Sequence, residues 1–101
     1  MSVPKRRYYH SLTAITDKFF MYGGSDGERA LDELWIYHTE KDFWELLEIE
    51  GLRPAPRYGH AATAKGYSLV IWGGRNGNEY YNDMFLYNIL TNQWEEMAIE
   101  G

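Results

Sequence analysis

Shifted against itself by fifty residues, this chain stays in step without a gap. PKRRYYHSLTAITDKFFMYGGSDG, from Pro4 to Gly27, meets PAPRYGHAATAKGYSLVIWGGRNG, from Pro54 to Gly77. From Pro4/Pro54 to Gly51/Gly101, 15 of the 48 aligned pairs are identical. Ordinary composition would give roughly three. A fixed period of this length marks a repeat architecture, in which each unit buries its apolar faces only by stacking on a neighbour. The repeat divides the chain into two units, residues 1–51 and 52–101.

Each unit reads as four strands. Arg7 to Thr16 (RYYHSLTAIT) is aromatic and β-branched and lacks helix caps, which predicts a first strand. Asp17-Lys18 is a polar turn. Phe19–Tyr22 and its twin Leu69–Trp72 are unbroken apolar runs, each closed by a glycine pair, Gly23-Gly24 and Gly73-Gly74. Apolar runs without alternation predict strands covered on both faces. Paired glycines suit positive φ or the close approach of another backbone. After polar loops at Ser25–Asp32 and Arg75–Asn82 come third strands, Leu34–Tyr37 and Met84–Tyr87, also apolar throughout. Fourth strands, Phe43–Leu47 and Gln93–Met97, mix Trp with Glu and predict a partly solvated outer edge.

Composition narrows the classes. The 17% aromatic content argues for a filled interior and against disorder. No apolar run approaches the length of a membrane span, and the N-terminus lacks the apolar core of a signal peptide. The absence of cysteine excludes disulfide and thiol chemistry and fits a reducing, cytoplasmic compartment. A net charge of −5 argues against non-specific nucleic-acid binding.

The recurring residues carry a resemblance. Each unit resembles a kelch repeat: P-x-x-R-x-x-H at its start, the glycine pair after an apolar strand, then a spaced Tyr and Trp (Tyr37 and Trp44; Tyr87 and Trp94). A period near fifty is that of kelch repeats. The second unit, EGLRPAPRYGHA, is the closer match; the first has Arg6 and Tyr9 where the second has Pro56 and Gly59. The resemblance covers almost the whole chain and implies an all-β fold of two four-stranded antiparallel β-propeller blades. Closed kelch propellers have about five to seven blades, six being frequent. Two blades leave two apolar faces open, which soluble monomers do not tolerate. Gly101 pairs with Gly51, so the chain is expected to be cut at repeat boundaries. Either it belongs to a longer propeller or copies close a ring, a homotrimer of six blades being favoured.

In a meander, the linker into the first strand and the loop between strands two and three share a face. Seven of the ten basic residues lie in those segments: Lys5, Arg6, Arg7, Arg29, Arg53, Arg57 and Arg75. Arg7 and Arg57 are expected near the mouth of the central channel as part of a basic collar suited to carboxylates. Both belong to the repeat motif, so pairing with Asp32, Asp83 or a carbonyl of a neighbouring blade competes with ligand contact. Asp26, Glu28, Asp32 and Glu79 dilute the positive field. Asn76, Asn78, Tyr80 and Tyr81 make the second loop the stickier one, although either tyrosine could instead cover the adjacent blade. The resemblance implies the same face, since kelch propellers often bind protein partners there, sometimes through short acidic motifs.

Catalytic readings fare badly. His10 and His60 share a repeat position inside a predicted strand and read as structural; His38 reads as solvated. No serine has a plausible base for a hydrolase triad. Among kelch propellers, copper radical oxidases need a Tyr–Cys cross-link, and this chain has no Cys. Iron binders use Glu-x-x-x-Asp-x-x-x-His; Glu28/Asp32 and Glu79/Asp83 fit, but Ile36 and Tyr87 stand at the third place. The expectation is a non-catalytic unit that binds a protein or peptide, without cofactor or metal. The alternative is a self-assembling scaffold, natural or engineered.

Overall fold

The computed structural model describes residues 3–98. Ten strands form: β1 Ser11–Ile15, β2 Lys18–Tyr22, β3 Leu34–His38, β4 Phe43–Leu46, β5 Ala61–Lys65, β6 Ser68–Trp72, β7 Arg75–Asn76, β8 Glu79–Tyr80, β9 Met84–Asn88 and β10 Gln93–Met97. They make two four-stranded antiparallel sheets, β1-β2-β3-β4 and β5-β6-β9-β10, plus the short hairpin β7-β8. These are the two blade-like meanders the repeat predicts. Among the described residues no helix is long and apolar enough to cross a membrane.

The registers of the two sheets are copies. Thr13 faces Phe20, Phe20 faces Ile36 and Ile36 faces Glu45; fifty residues on, Thr63, Val70, Leu86 and Glu95 repeat the row. The β3–β4 and β9–β10 turns explain the recurring Tyr and Trp. Asp42 and Asn92 both sit at φ 57°, a left-handed conformation that Asp and Asn tolerate. The hydroxyls of Tyr37 and Tyr87 donate to the side chains of Asp42 and Asn92. Trp44 packs on Tyr37 with ring centroids 5.1 Å apart, and Trp94 on Tyr87 at 5.4 Å.

One core joins the sheets. The first presents Ile15, Phe20, Tyr22, Leu34 and Ile36; the second presents Leu69, Ile71, Phe85, Tyr87 and Trp94. Because side chains alternate along a strand, these sets have opposite parity within the repeat. Phe20 and Tyr22 of β2 correspond to Val70 and Trp72, whereas β6 packs inward through Leu69 and Ile71. The blades therefore stack front to back. The complementary faces, with Phe19 38% exposed on one and Trp72 40% exposed on the other, remain open. Coverage of each apolar run on both faces is thus not met within the chain. Phe85 lies between the blades as its pattern suggests, but Trp72 does not.

Three local expectations need correction. The first strand begins at Ser11 rather than Arg7, because Tyr9 takes φ 58° and breaks the extended run. The tight turn falls at Thr16-Asp17, one residue early, with Lys18 already in β2. The segment Arg75–Asn82 is not simply a loop, since β7 and β8 pair across Gly77-Asn78. A two-residue Gly-Asn connection, with Gly77 at φ 63°, is a hairpin signal. The repeat pairs Ile49/Ile99, Glu50/Glu100 and Gly51/Gly101 lie partly outside the described residues.

Candidate functional site

The linker before each first strand pairs with the loop after the glycine pair. Tyr8 exchanges backbone hydrogen bonds with Ser25, and Tyr58 with Arg75. This places linker and loop side chains together on one face. Across the blades, Gly24 N–H donates to Arg57 O and Gly59 N–H donates to Tyr9 O, each at 2.9 Å.

Beneath that face stand two arginine pillars. Arg57 is 0% exposed and donates to Ala55 O, Gly73 O and both oxygens of Asp83, Nη2 to Oδ2 at 3.0 Å. Arg7, 8% exposed, donates to Lys5 O, Gly23 O and Glu33 Oε1. A buried guanidinium needs such satisfaction, because an unpaired buried charge is costly. The ring of Tyr81 covers Arg57, 4.3 Å from centroid to Cζ. Both arginines therefore pair within their own blade, and Asp32 pairs with Arg53 instead. The acid was legible in principle. Glu33 and Asp83 each follow the motif arginine by 26 residues, but the pair is similar rather than identical.

The basic collar does not form as expected. Lys5 pairs with Asp26 at 3.1 Å, and Arg7, Arg53 and Arg57 are held by carboxylates. Backbone N–H groups of Glu28 and Arg29, then Lys5, hold the Asp26 carboxyl well below the usual range. Arg29 is exposed and only 4.0 Å from Asp26. Arg6 and Arg75 have no carboxylate partner among the described residues.

His60 sits in the seam between blades, just ahead of β5 rather than inside it. Its Nε2 lies 2.8 Å from Ser11 Oγ, and its ring meets Tyr22 edge-on at 5.3 Å. Gly23 allows this approach: at φ 68°, a Cβ there would stand 2.7 Å from Arg57 O and 2.9 Å from His60 Cε1. Over Gly73, by contrast, the nearest neighbour of such a Cβ is Tyr81 O at 3.8 Å. Gly24 and Gly74 make close approaches of their own, to Tyr8 O and His10 Cβ and to Tyr58 O and His60 Cβ. Burial, with the positive charge of Arg57 and then His10, holds the His60 pKa down at about 4. Its Nδ1 and the Tyr22 hydroxyl are buried without a hydrogen-bond partner among the described residues. His60 is therefore buried in the seam but only half satisfied, while its twin His10 is exposed.

A cleft of about 430 Å³ opens on the loop face, lined by Tyr9, Tyr58, Gly59 and Arg75. The Arg75 guanidinium stacks 5.7 Å from the Tyr58 ring centroid and 5.1 Å from that of Tyr80. Its Nε donates to Gly77 O, and Tyr58 Oη accepts from Gly77 N–H. Tyr9 and Tyr58 lie 6.2 Å apart, and Tyr9 is 72% exposed. A tyrosine at φ 58° costs about 1–2 kcal/mol. Its twin Gly59 adopts φ 70° without that cost. Tyr80, Asn76 and Asn78 are exposed on the adjoining hairpin, whereas Tyr81 is turned onto Arg57. Tyr9 and Tyr58 were missed as site residues; the Tyr9/Gly59 mismatch was the available signal.

No group of three or more His, Cys, Asp or Glu side chains could hold a metal ion among the described residues. The KLHDC2/KLHL20/DRC7 Kelch-repeats domain matches residues 1–101. In Dictyostelium discoideum, the Rho GTPase-activating protein gacHH is 36% identical over 55 residues, 54% of this chain and 4% of that protein. A probable serine/threonine-protein kinase of the same organism is 38% identical over 42 residues, 42% of this chain and 3% of that protein. The chain thus spans a few per cent of the length of these relatives. With two four-stranded meanders, repeated glycine pairs and a family match from end to end, the chain belongs to the kelch-repeat family.

Proposed function

We propose that this chain is a non-catalytic recognition unit that binds a protein or peptide, of acidic character, on the face formed by its linkers and β2–β3 and β6–β9 loops. The carrying observation is the division of labour on that face. The motif arginines are consumed in buried pairs, while Arg75, Tyr9, Tyr58 and Tyr80 are grouped at the surface. Tyrosine and arginine are favoured at recognition surfaces because they combine contact area with directed hydrogen bonding. Kelch-repeat domains generally serve as interaction modules. The absence of cysteine fits work in a reducing compartment such as the cytoplasm. Neither a nucleic acid nor a membrane surface suits a chain of net charge −5.

A photo-crosslinking residue at Asn78, on the loop face, should trap a protein partner that the same residue at Thr39, in the β3–β4 turn, does not. Equal trapping at both positions would overturn the assignment of the face.

A second reading, a self-assembling scaffold, is favoured by the open front and back faces. Each repeats a surface already buried between the two blades. Three copies stacked in the same sense would make six blades, and a head-to-tail interface closes when the rotation per chain fits. Light scattering coupled to size exclusion across a dilution series should return the mass of a trimer. A monomer at all concentrations would remove this reading and leave the remaining blades to a longer chain.

A further inference from the structure

We propose that Asn76 is a self-modification site. In the folded chain its side-chain amide is lost as ammonia through attack by the Gly77 backbone nitrogen, at a rate set by the Tyr58 hydroxyl, and the loop face gains a carboxylate.

The sequence selects the residue. Of the five asparagines, Asn76 alone precedes glycine; Asn78, Asn82, Asn88 and Asn92 precede Glu, Asp, Ile and Gln. A backbone nitrogen that must fold back onto the preceding Cγ is hindered by its own residue's side chain, and glycine has none. The structure leaves room for the attack. Asn76 and Gly77 are exposed at the tip of the β7–β8 hairpin, and a Cβ built on Gly77 would have nothing within 4 Å. With only two residues in each of its strands, this hairpin opens more readily than a blade.

One contact restrains the nucleophile. Gly77 N–H donates to Tyr58 Oη at 3.1 Å, and Arg75 stacks on the Tyr58 ring. A neutral phenol oxygen is too weak a base to take that proton, so this hydrogen bond must break before the nitrogen can turn onto Cγ. Solvent hydroxide then removes the amide proton, and the nitrogen bonds to Asn76 Cγ. The Cγ–Nδ2 bond breaks, ammonia leaves with a proton from water, and a five-membered imide remains. Water reopens the imide at either carbonyl. Cleavage at Cγ gives an aspartyl residue; cleavage at the main-chain carbonyl reroutes the chain through the side chain as an isoaspartyl residue. Water is the only co-reactant, and nothing is oxidised or reduced.

The first repeat shows what an aspartate does at this place. Asp26, the twin of Asn76, accepts from Glu28 N–H and Arg29 N–H at 2.9 Å each and so closes the Gly27-Glu28 turn. Asn76 makes no such cap among the described residues. The aspartyl product therefore tightens the second hairpin. The isoaspartyl product adds a backbone carbon between the Asn76↔Glu79 pair and the turn and undoes the register. Asp26 is itself spared, because an ionised carboxylate is a poor electrophile and Gly27 N–H is engaged by Ser25 Oγ. Lys5, which pairs with Asp26, has Ala55 as its counterpart, so the new charge meets no cation at that place.

The test incubates the full chain at mildly alkaline pH and samples it over days. Peptide mass mapping reads the exchange of an amide for a carboxylate at Asn76, and labelling by a protein-isoaspartate methyltransferase reads the isoaspartyl form. Asn76 should react ahead of the other asparagines. Tyr58→Phe keeps the ring but removes the acceptor, and should speed the reaction about fivefold. Ile36→Val, which loosens the core in the first blade, should leave the rate unchanged. Asn76→Asp stands for the aspartyl product and should raise Tm by about 2–4 °C through the added cap. An intact Asn76, under conditions in which a peptide of residues 75–83 has reacted, would overturn the site. Equal acceleration by Tyr58→Phe and Ile36→Val would place the reaction in the unfolded chain and overturn it as well. A rate unmoved by Tyr58→Phe would remove the restraint on which the proposal rests.

Discussion

Replacing His60 with Gln should remove the larger part of the chain's loss of stability between pH 7 and 4.5, leaving the part contributed by His10, whose pKa burial and then the Arg7 charge also hold down. In the folded state the His60 imidazole is held at about 4 by burial and by the positive charges of Arg57 and His10; unfolded, it returns to 6.5. The folded pKa is the lower one, so the unfolded chain takes up the proton first. The stabilisation is whole above pH 6.5, declines as pH falls, and is exhausted below about 4. Integrating proton uptake between those values gives a loss of about 1 kcal/mol at pH 5.5 and about 2.5 kcal/mol at pH 4.5. Both are upper figures, because the ring is only partly shielded from water. The geometry explains why the proton is refused: Nε2 faces the Ser11 hydroxyl, while a proton on Nδ1 would find no acceptor among the described residues. Urea denaturation at fixed protein concentration, repeated at pH 7.0, 5.5 and 4.5, reads the effect directly. The parent should lose stability across this window, while His60→Gln should start lower and decline less, the remaining slope coming from His10. Below pH 4 both should fall, as Asp26 gives up the carboxylate that its backbone donors stabilise. Parallel profiles for the two chains would refute the placement of His60 in the seam.

Three other perturbations test the architecture. Gly23→Ala should destabilise by about 2–3 kcal/mol and Gly73→Ala by only about 1 in thermal melts, since positive φ strains both but only Gly23 meets another backbone within 3 Å; equal losses would contradict the close approach. Asp83→Ala should cost about 3 kcal/mol in urea titration by stranding a fully buried cation, and Glu33→Ala less, because Glu33 is the more exposed acid; a loss near 0.5 kcal/mol for Asp83 would show a pair no stronger than a surface one. Phe85→Asp should unfold the chain, whereas Trp72→Asp should leave circular dichroism unchanged and reduce the mass seen by light scattering; unfolding by both would place Trp72 inside the core.

The fold was legible because the repeat appears twice in one chain. Glycine pairs, apolar runs and the Tyr–Trp spacing are enforced by backbone geometry and by packing that recurs, so they survive as identities. What an alternating pattern cannot show is which face of a fully apolar strand meets a neighbour. Phe19 and Phe20 read alike, yet one is open and the other buried. The start of β1 was obscured because Tyr8 and Tyr9 have strand-like composition while the Tyr9 φ angle is set by tertiary contacts. The site was less legible still. Arginine identity at Arg7 and Arg57 suggested a shared surface, but identical residues in two repeats tend to mark a shared structural duty. The cleft is built instead where the repeats disagree: Tyr9 against Gly59, and Ser25 against Arg75.

The opposite parity of the two inward faces makes the repeat a directional unit. Within this chain the front of one repeat meets the back of the other. Lengthening such a gene by duplication requires no new surface to evolve, because each added copy inherits a socket and the plug that fits it. The same property carries a hazard. A head-to-tail coupling has no intrinsic stopping point, and only the curvature accumulated per unit decides whether it ends in a closed ring or runs on as a fibre. Selection on a chain of this kind therefore acts on a few degrees of twist at the seam around His60, Tyr22 and Gly23 as much as on any binding residue.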